Sequence, residues 1–365
     1  MNFFEKFDWQ TMLAQYPQSN YDIKAYHEIL CPRNDWPPFL QKYVQLPILE
    51  RLSGIGLLCG TDWTKLYKNR FYYSRLDHSI GVALIVWHFT HNKAQTLAGL
   101  LHDISTPVFS HVSDFRKGDA LTQTATEEPT AKIIRENKEL CELLLEDGLL
   151  PKQVEDYHIY PIADNEIPQL SADRLEYMFP SGMALYGCWT LQEIKRCYND
   201  LLILQNEKGF DELGFKNLET AELYCEKFCM IGHILQLNEN KLTLHLLGQI
   251  MNLAEKQSLV CEQDFMTLSE QEIIAKLDSI EKNSRLWRLY QTFRNMTSII
   301  HCETALDENE YFCVNLKVKQ RYINPLVRAQ NGKVQRLSEL SEKAQKIIKD
   351  FKTYSDTNYG CVKLV

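Results

Sequence analysis

No apolar run in this 365-residue chain reaches the roughly 18 residues that a membrane-spanning helix requires, so no transmembrane segment is expected. The opening Met1-Asn2-Phe3-Phe4-Glu5-Lys6 has neither a basic start nor a long apolar stretch, so a secretory leader is not expected either. Eleven cysteines are scattered without a single C-x-x-C pair. That excludes the commonest thiol metal and redox motifs, and the cysteines are expected as reduced thiols of a cytoplasmic protein. Basic charge is in short supply: 40 Lys and Arg face 48 Asp and Glu, a net charge of -8. This argues against nucleic-acid binding by the whole surface, while leaving room for a local basic pocket. Internal repeats and low-complexity linkers are also missing. What remains is a chain with 45% hydrophobic residues, enough to bury the core of one large domain or two ordinary ones.

Helical periodicity dominates. Leu76 to Phe89 is apolar on a broad face, and Ala94 to His102 repeats small and large apolar residues at helical spacing. Thr190-Leu191-Gln192-Glu193 is a capping-box pattern that predicts a helix running to about Asn206. Thr267-Leu268-Ser269-Glu270 repeats the pattern before Ile273, Ile274 and Leu277. Leu218 to Ile231 and Leu242 to Leu253 are further amphipathic stretches. Two regions differ. Residues 104–130 are rich in Ser, Thr, Pro, Asp and Gly and read as loop with short helical pieces. Tyr311 to Lys319 alternates, with Val314, Leu316 and Val318 on one face, and Lys333 to Leu337 alternates too. These predict two strands of a small sheet, followed by a helix from about Glu339 to Phe351. The expected fold is mostly α, a helical body with a small C-terminal α+β tail packed on it.

The most informative residues are His102-Asp103, an imidazole and a carboxylate adjoining directly after the apolar run Ala98-Gly99-Leu100-Leu101. His78 lies upstream in Arg75-Leu76-Asp77-His78-Ser79, and Asp173 downstream in Ser171-Ala172-Asp173-Arg174. Two imidazoles and two carboxylates form a mixed N/O set suited to a divalent transition metal. Such an ion lowers the pKa of bound water and clamps a phosphoryl oxygen. Taken singly, each residue has a plainer reading: a lone His is more often a hydrogen-bonded core residue, and Asp173 suits the first turn of a helix capped by Ser171. The joint pattern favours the ion. A second cluster, Cys225, Cys229 and His233, shares one helical face. A soft metal could use it, and a buried apolar stripe explains it equally, since no fourth ligand is evident.

Several segments together resemble the HD-domain metal-dependent phosphohydrolases, with closest similarity to the deoxynucleoside triphosphate triphosphohydrolase branch of sterile-alpha-motif and HD-domain type. They are Leu46-Pro47-Ile48-Leu49-Glu50-Arg51-Leu52, Tyr73-Ser74-Arg75-Leu76-Asp77-His78-Ser79-Ile80-Gly81-Val82, Leu101-His102-Asp103 through Phe109-Ser110-His111, and Ser171-Ala172-Asp173-Arg174-Leu175-Glu176-Tyr177. A weaker echo is Tyr322-Ile323-Asn324-Pro325-Leu326-Val327. The resemblance implies an HD-type helical bundle over 40–300, with its core at 46–180, and a small α+β region over 305–365. It implies one divalent ion, whether Fe, Mn, Zn, Ni or Mg, on His78, His102, Asp103 and Asp173. Asp103, His111 and Arg75 are implied to be catalytic. Arg75, His111, Arg174 and Tyr177 are implied to bind a small phosphorylated substrate such as a nucleotide. The triphosphohydrolase branch forms oligomers, so a homo-oligomer is also an expectation.

Departures from the family pattern bear on the substrate. Thr106 stands where the triphosphohydrolases carry a second histidine, and Thr126 stands where a further histidine belongs. Leu57 replaces a glutamine, and Pro180-Ser181 replaces an Arg-Asp pair that holds the sugar. The expected activity is therefore hydrolysis of a nucleotide or related phosphate ester by metal-activated water. Two alternatives are retained deoxynucleoside triphosphohydrolase activity and a non-catalytic, metal-stabilised nucleotide sensor.

Overall fold

A computed structural model describes Phe4, 22–121, 129–185 and 187–365 of the chain. Helices α1 (Ile23–Leu30), α2 (Leu40–Val44) and α3 (Pro47–Glu50) lead to the long α4 (Arg75–Thr90) and α5 (Lys93–Leu101). Short helices α6 (Val112–Arg116), α7 (Thr130–Glu136) and α8 (Lys138–Glu146) precede α9 (Ala172–Leu185) and α10 (Leu191–Asn199). A hairpin, β1 (Leu201–Gln205) and β2 (Asp211–Phe215), separates these from α11 (Leu218–Gln236), α12 (Asn238–Lys256), α13 (Glu262–Thr267), α14 (Glu270–Asp278) and α15 (Arg285–Asn295). The remainder holds β3 (Ile300–Cys302), β4 (Tyr311–Val314), β5 (Leu326–Arg328), β6 (Val334–Arg336), α16 (Leu337–Leu340), α17 (Glu342–Thr353) and β7 (Tyr359–Lys363). The protein is mostly helical with two small sheets, as the periodicity predicts. No helix among the described residues is long and apolar enough to cross a membrane.

Local chemistry explains where the helices that matter begin. Ser74 caps α4: its Oγ accepts the Asp77 N–H at 3.0 Å, and Asp77 Oδ2 accepts the Ser74 N–H at 3.1 Å. This reciprocal box fixes Arg75 and His78 in the first turns of the helix. Asn92 caps α5 through the Gln95 N–H, and α5 packs closely on α4 because Gly99 leaves space for Val82 and Val86. Ser171 accepts the Arg174 N–H at 3.2 Å at the start of α9. Pro180 lies inside α9 and cannot donate to the Glu176 carbonyl. The Tyr26 hydroxyl donates there instead, at 3.4 Å.

The strands correct part of the sequence reading. The helix expected to reach Asn206 stops at Asn199, because Leu201-Leu202-Ile203-Leu204 pairs with Glu212-Leu213-Gly214-Phe215 as an antiparallel hairpin. Asn206 forms its turn, with Oδ1 accepting the N–H groups of Lys208 and Phe210. A capping box and a short apolar run read alike in one dimension whether the run continues the helix or starts a strand. The cap of α14 is Ser269 with Glu272, two residues beyond the Thr267 pattern. The two strands expected after residue 305 belong to different sheets: β4 joins the antiparallel order β3-β7-β4, and β6 joins β1-β2-β5-β6. In the second sheet β2 and β5 run parallel, Gly214 opposite Leu326 and Phe215 opposite Val327. The expectation of eleven reduced thiols is corrected for Cys313 and Cys361, which are directly opposed on β4 and β7 and form a disulfide. That register is invisible in their sequence spacing. Cys225 and Cys229 are buried in α11, and the His233 ring stacks on Phe4 at 4.7 Å and meets Tyr354 edge-on at 4.2 Å. The stripe is core, and it is not among the metal-capable groups of the described residues.

Candidate metal centre

Three chain segments bring the predicted residues to one point. His78 Nε2 lies 3.2 Å from His102 Nε2. Asp173 Oδ1 lies 3.1 Å from the first and 3.6 Å from the second. Asp103 Oδ2 lies 3.5 Å from His102 Nε2 and 3.8 Å from His78 Nε2. Two nitrogens 3.2 Å apart are separated as two bonds of about 2.1 Å would place them when meeting at about 90–110°. The ligand atoms of His78, His102 and Asp103 all lie within 4.8 Å of one another, a group able to hold a divalent ion, and Asp173 stands beside both imidazoles.

The far side of each ring is secured. Glu176 Oε2 lies 2.5 Å from His78 Nδ1, and the Gly99 carbonyl lies 2.7 Å from His102 Nδ1. Both partners are acceptors, so with an ion bound each ring would keep its proton on Nδ1 and offer its Nε2 lone pair inward, the arrangement metal-binding histidines require. Glu176 is fully buried and also accepts the Tyr73 hydroxyl at 2.6 Å and the Tyr26 hydroxyl at 3.1 Å. It approaches α4 so closely that a Cβ on Gly81 would stand 2.5 Å from Glu176 Oε1.

The loop after His102-Asp103 is equally ordered. Arg51 Nη2 donates to the carbonyls of Ile104 and Thr106 at 2.7 and 2.9 Å. Thr106 Oγ1 donates to Asp103 Oδ1 at 2.8 Å, and Arg75 Nη1 donates to Asp103 Oδ2 at 2.9 Å. Burial alone would raise the Asp103 pKa, yet Arg75 and the two histidines hold it far below the usual carboxylate range. Asp173 is likewise held down, to about 2, since its bond to His78 and the charge of His102 outweigh burial. Arg75 Nε also donates to Ser110 Oγ at 3.0 Å. Phe109 and Ser110 both adopt left-handed backbone, at φ 60° and 54°. That conformation costs a non-glycine residue about 1 kcal/mol, and here it turns Ser110 towards Arg75 and presents His111. His111 Nδ1 lies 2.9 Å from Asp114 Oδ2, leaving Nε2 for other partners. Burial lowers the His111 pKa despite Asp114.

All eight predicted site residues line one cavity of about 680 Å³. Arg174 is tied to its own wall: Nε donates to the Gln169 carbonyl at 2.9 Å, and Nη2 reaches Asn165 and, at 3.3 Å, Asp164 Oδ1. It braces the loop that faces the ion site. The Tyr177 ring sits 6.5 Å from the His78 ring. Leu57 and Ser181 also line the cavity. Thr126 lies outside the described residues.

No family model matches the chain. An uncharacterized Bacillus subtilis protein, YdhJ, is 25% identical over 313 residues, spanning 84% of this chain and 89% of its own length. The Cordyceps militaris metal-dependent phosphohydrolase cns2 is 26% identical over 164 residues, 45% of this chain and 46% of that protein. A hypothetical protein from Aquifex aeolicus shares the fold with a TM-score of 0.60 at 15% identity, over 90% of this chain and 92% of its own. A phosphohydrolase from Bacteroides thetaiotaomicron does so with a TM-score of 0.57 at 14% identity, over 89% and 95%. The chain thus has a metal-dependent phosphohydrolase among its relatives and a phosphohydrolase among its fold neighbours.

Three contributors were not singled out by the sequence reading. Glu176 follows Asp173 by three positions, so one helical face carries both, a spacing that was a usable signal. Asp114 follows His111 by the same interval. Arg321 reaches the cavity from the segment between β4 and β5, and nothing in its sequence neighbourhood announces that.

Proposed function

We propose that this protein is a metal-dependent phosphohydrolase of HD type acting on a phosphate ester. The convergence of His78, His102, Asp103 and Asp173 beside Arg75 in one cavity is the observation that carries the reading. These four residues would hold a divalent ion. When bound, such an ion would lower the pKa of water and neutralise phosphoryl oxygen charge.

The chain's own groups do the rest. Arg75 presents a planar guanidinium beside Asp103 and offers its remaining donors to a phosphoryl oxygen. Its pairing with Asp103 and Ser110 holds that orientation before substrate arrives, so charge developing on the phosphoryl group meets a donor already in place. His111 is kept neutral at pH 7 by burial and oriented by Asp114, so its Nε2 is suited to take a proton and return it to the departing oxygen. Asp103 is oriented by Thr106 and Arg75 together. The groups that would read a triphosphate and deoxyribose are replaced by Thr106, Leu57 and Ser181, and Thr106 is committed to Asp103. A monoester or diester substrate follows better than a deoxynucleoside triphosphate.

A phosphate-release screen tests this. Nucleoside mono-, di- and triphosphates and simple monoesters and diesters are offered with Mn, Fe, Ni and Mg in turn. Monoester or diester turnover should exceed that of deoxyguanosine triphosphate, and the double variant His102→Ala/Asp103→Ala should lose both metal and turnover. Release of intact triphosphate from several deoxynucleotides would overturn the substrate assignment. Full metal retention in the double variant would overturn the site.

A further inference from the structure

The cavity continues well beyond the ion-binding end, and its chemistry changes along the way. Asp173, Tyr177, Ser181 and Leu185 all line it, at steps of four residues, so they form one stripe of α9. From Asp173 to Leu185 that stripe runs about 18 Å at 1.5 Å per residue. It begins with a carboxylate and ends with an isobutyl group, with Met178 beside it. Ile231 of α11 packs against this stretch, its Cδ1 2.6 Å from where a Cβ on Gly182 would stand, and Ile234 and Leu235 of the same helix and Leu244 of α12 also line the cavity. Asn240, beside Leu235, is already engaged, since its Nδ2 donates to the Leu235 carbonyl at 3.1 Å. A phosphoryl group alone would fill only a small part of 680 Å³. A sugar or nucleobase set against these aliphatic side chains would surrender hydration without finding partners among them.

Resting on the phosphohydrolase reading of the ion site, we propose that the organic part of the ligand is an elongated apolar chain, alkyl or aryl, with phosphate at one end. Phosphate sits beside Arg75 and the four ion ligands. The chain follows α9 and ends between Leu185 and Leu235. Water is displaced from an apolar groove by an apolar chain, so affinity grows with chain length until the groove is full.

Non-hydrolysable methyl-, butyl- and octylphosphonate are titrated calorimetrically into the protein with and without bound metal. Each methylene fully buried strengthens binding about fourfold, so the four added between butyl and octyl set a ceiling of about 200-fold. At least tenfold is expected. Leu235→Asn, at a partly buried position, and Leu185→Ser should each flatten the series while methylphosphonate binding is kept. A flat series in the wild type overturns the proposal, as does a length dependence unchanged in both variants or tighter binding of adenosine monophosphate than of octylphosphonate. The parent reading fails separately: octyl preference with no ester hydrolysed removes the hydrolase and leaves the groove, whereas hydrolysis without length preference removes the groove and leaves the hydrolase.

Discussion

Replacing Glu176 by Gln isolates what orients the ion site, because it conserves volume and removes one capacity. The buried carboxylate accepts three donors: His78 Nδ1 at 2.5 Å, Tyr73 at 2.6 Å and Tyr26 at 3.1 Å. A glutamine oxygen can keep the two tyrosines. Its amide nitrogen then faces His78 Nδ1, which must become an acceptor, and the ring proton moves to Nε2. Nε2 is the atom turned towards His102 and Asp173, so in the variant even the neutral ring carries a proton where an ion would bind. Loss of such a supporting partner typically costs about 10- to 100-fold in metal affinity, or about 1.4–2.7 kcal/mol. Competition against a chromogenic chelator measures it directly. A second signature is the pH profile. Burial pulls the His78 pKa down, but Glu176 and Asp173 together raise it to about 10. The metal-free wild type therefore carries a proton there at neutral pH, and its metal affinity should climb as pH rises towards 10. In the Gln variant the climb should be shallower. A folded variant with affinity within about threefold of wild type and an unchanged pH slope would refute the reasoning.

Arg75→Ala should lower turnover by about 10²-fold or more, the effect of losing one preorganised donor to developing charge, while metal content measured by elemental analysis stays near wild type; parallel loss of both would place the arginine in ion retention instead. Gly81→Ala puts a methyl 2.5 Å from Glu176 Oε1 and 2.8 Å from its Cγ, so it should destabilise by about 1–3 kcal/mol in denaturant melts and weaken metal binding too, and an unchanged midpoint would count against the tight approach. His301 sits between Asp356 at 3.1 Å and Glu239 at 3.0 Å, and these bonds raise its pKa to about 10. A raised histidine pKa stabilises the fold fully below the unfolded value near 6.5 and loses that contribution as pH rises through about 10. His301→Gln should therefore lower the melting temperature more at pH 6 than at pH 10.5, and equal losses at both would show that the ion pairs contribute nothing.

The readability of the chain depended on how local each signal was. His102-Asp103 is a covalent neighbour pair at a helix end, and His78 and Asp173 sit at recognisable helix starts, so residue type together with the family resemblance could name the four candidate ligands that the fold brings together. Helices α4, α5, α11 and α12 were legible as long apolar helical stretches, and α4 and α5 are buried on nearly every side over 81–86 and 96–101. Information that lives in pairing was hidden. The β1–β2 hairpin looked like the rest of a helix, Cys313 and Cys361 meet only through strand register, and Arg321 acquires its neighbours from the tertiary path of an irregular segment. Glu176 falls between these cases. Its spacing from Asp173 was visible, but its role needs Gly81 on a different helix to leave it room.

The parallel pairing of β2 with β5 also imposes an order of assembly. Every residue that converges on the ion lies between 75 and 176, whereas Val318, Lys319 and Arg321 of the opposing wall come from the segment anchored by that pairing. Chains emerge from the ribosome N-terminus first, and a parallel pairing over so long a loop is slow to close. The candidate ion ligands thus come from the first half of the chain, whereas part of the cavity lining waits for a pairing made across more than a hundred residues.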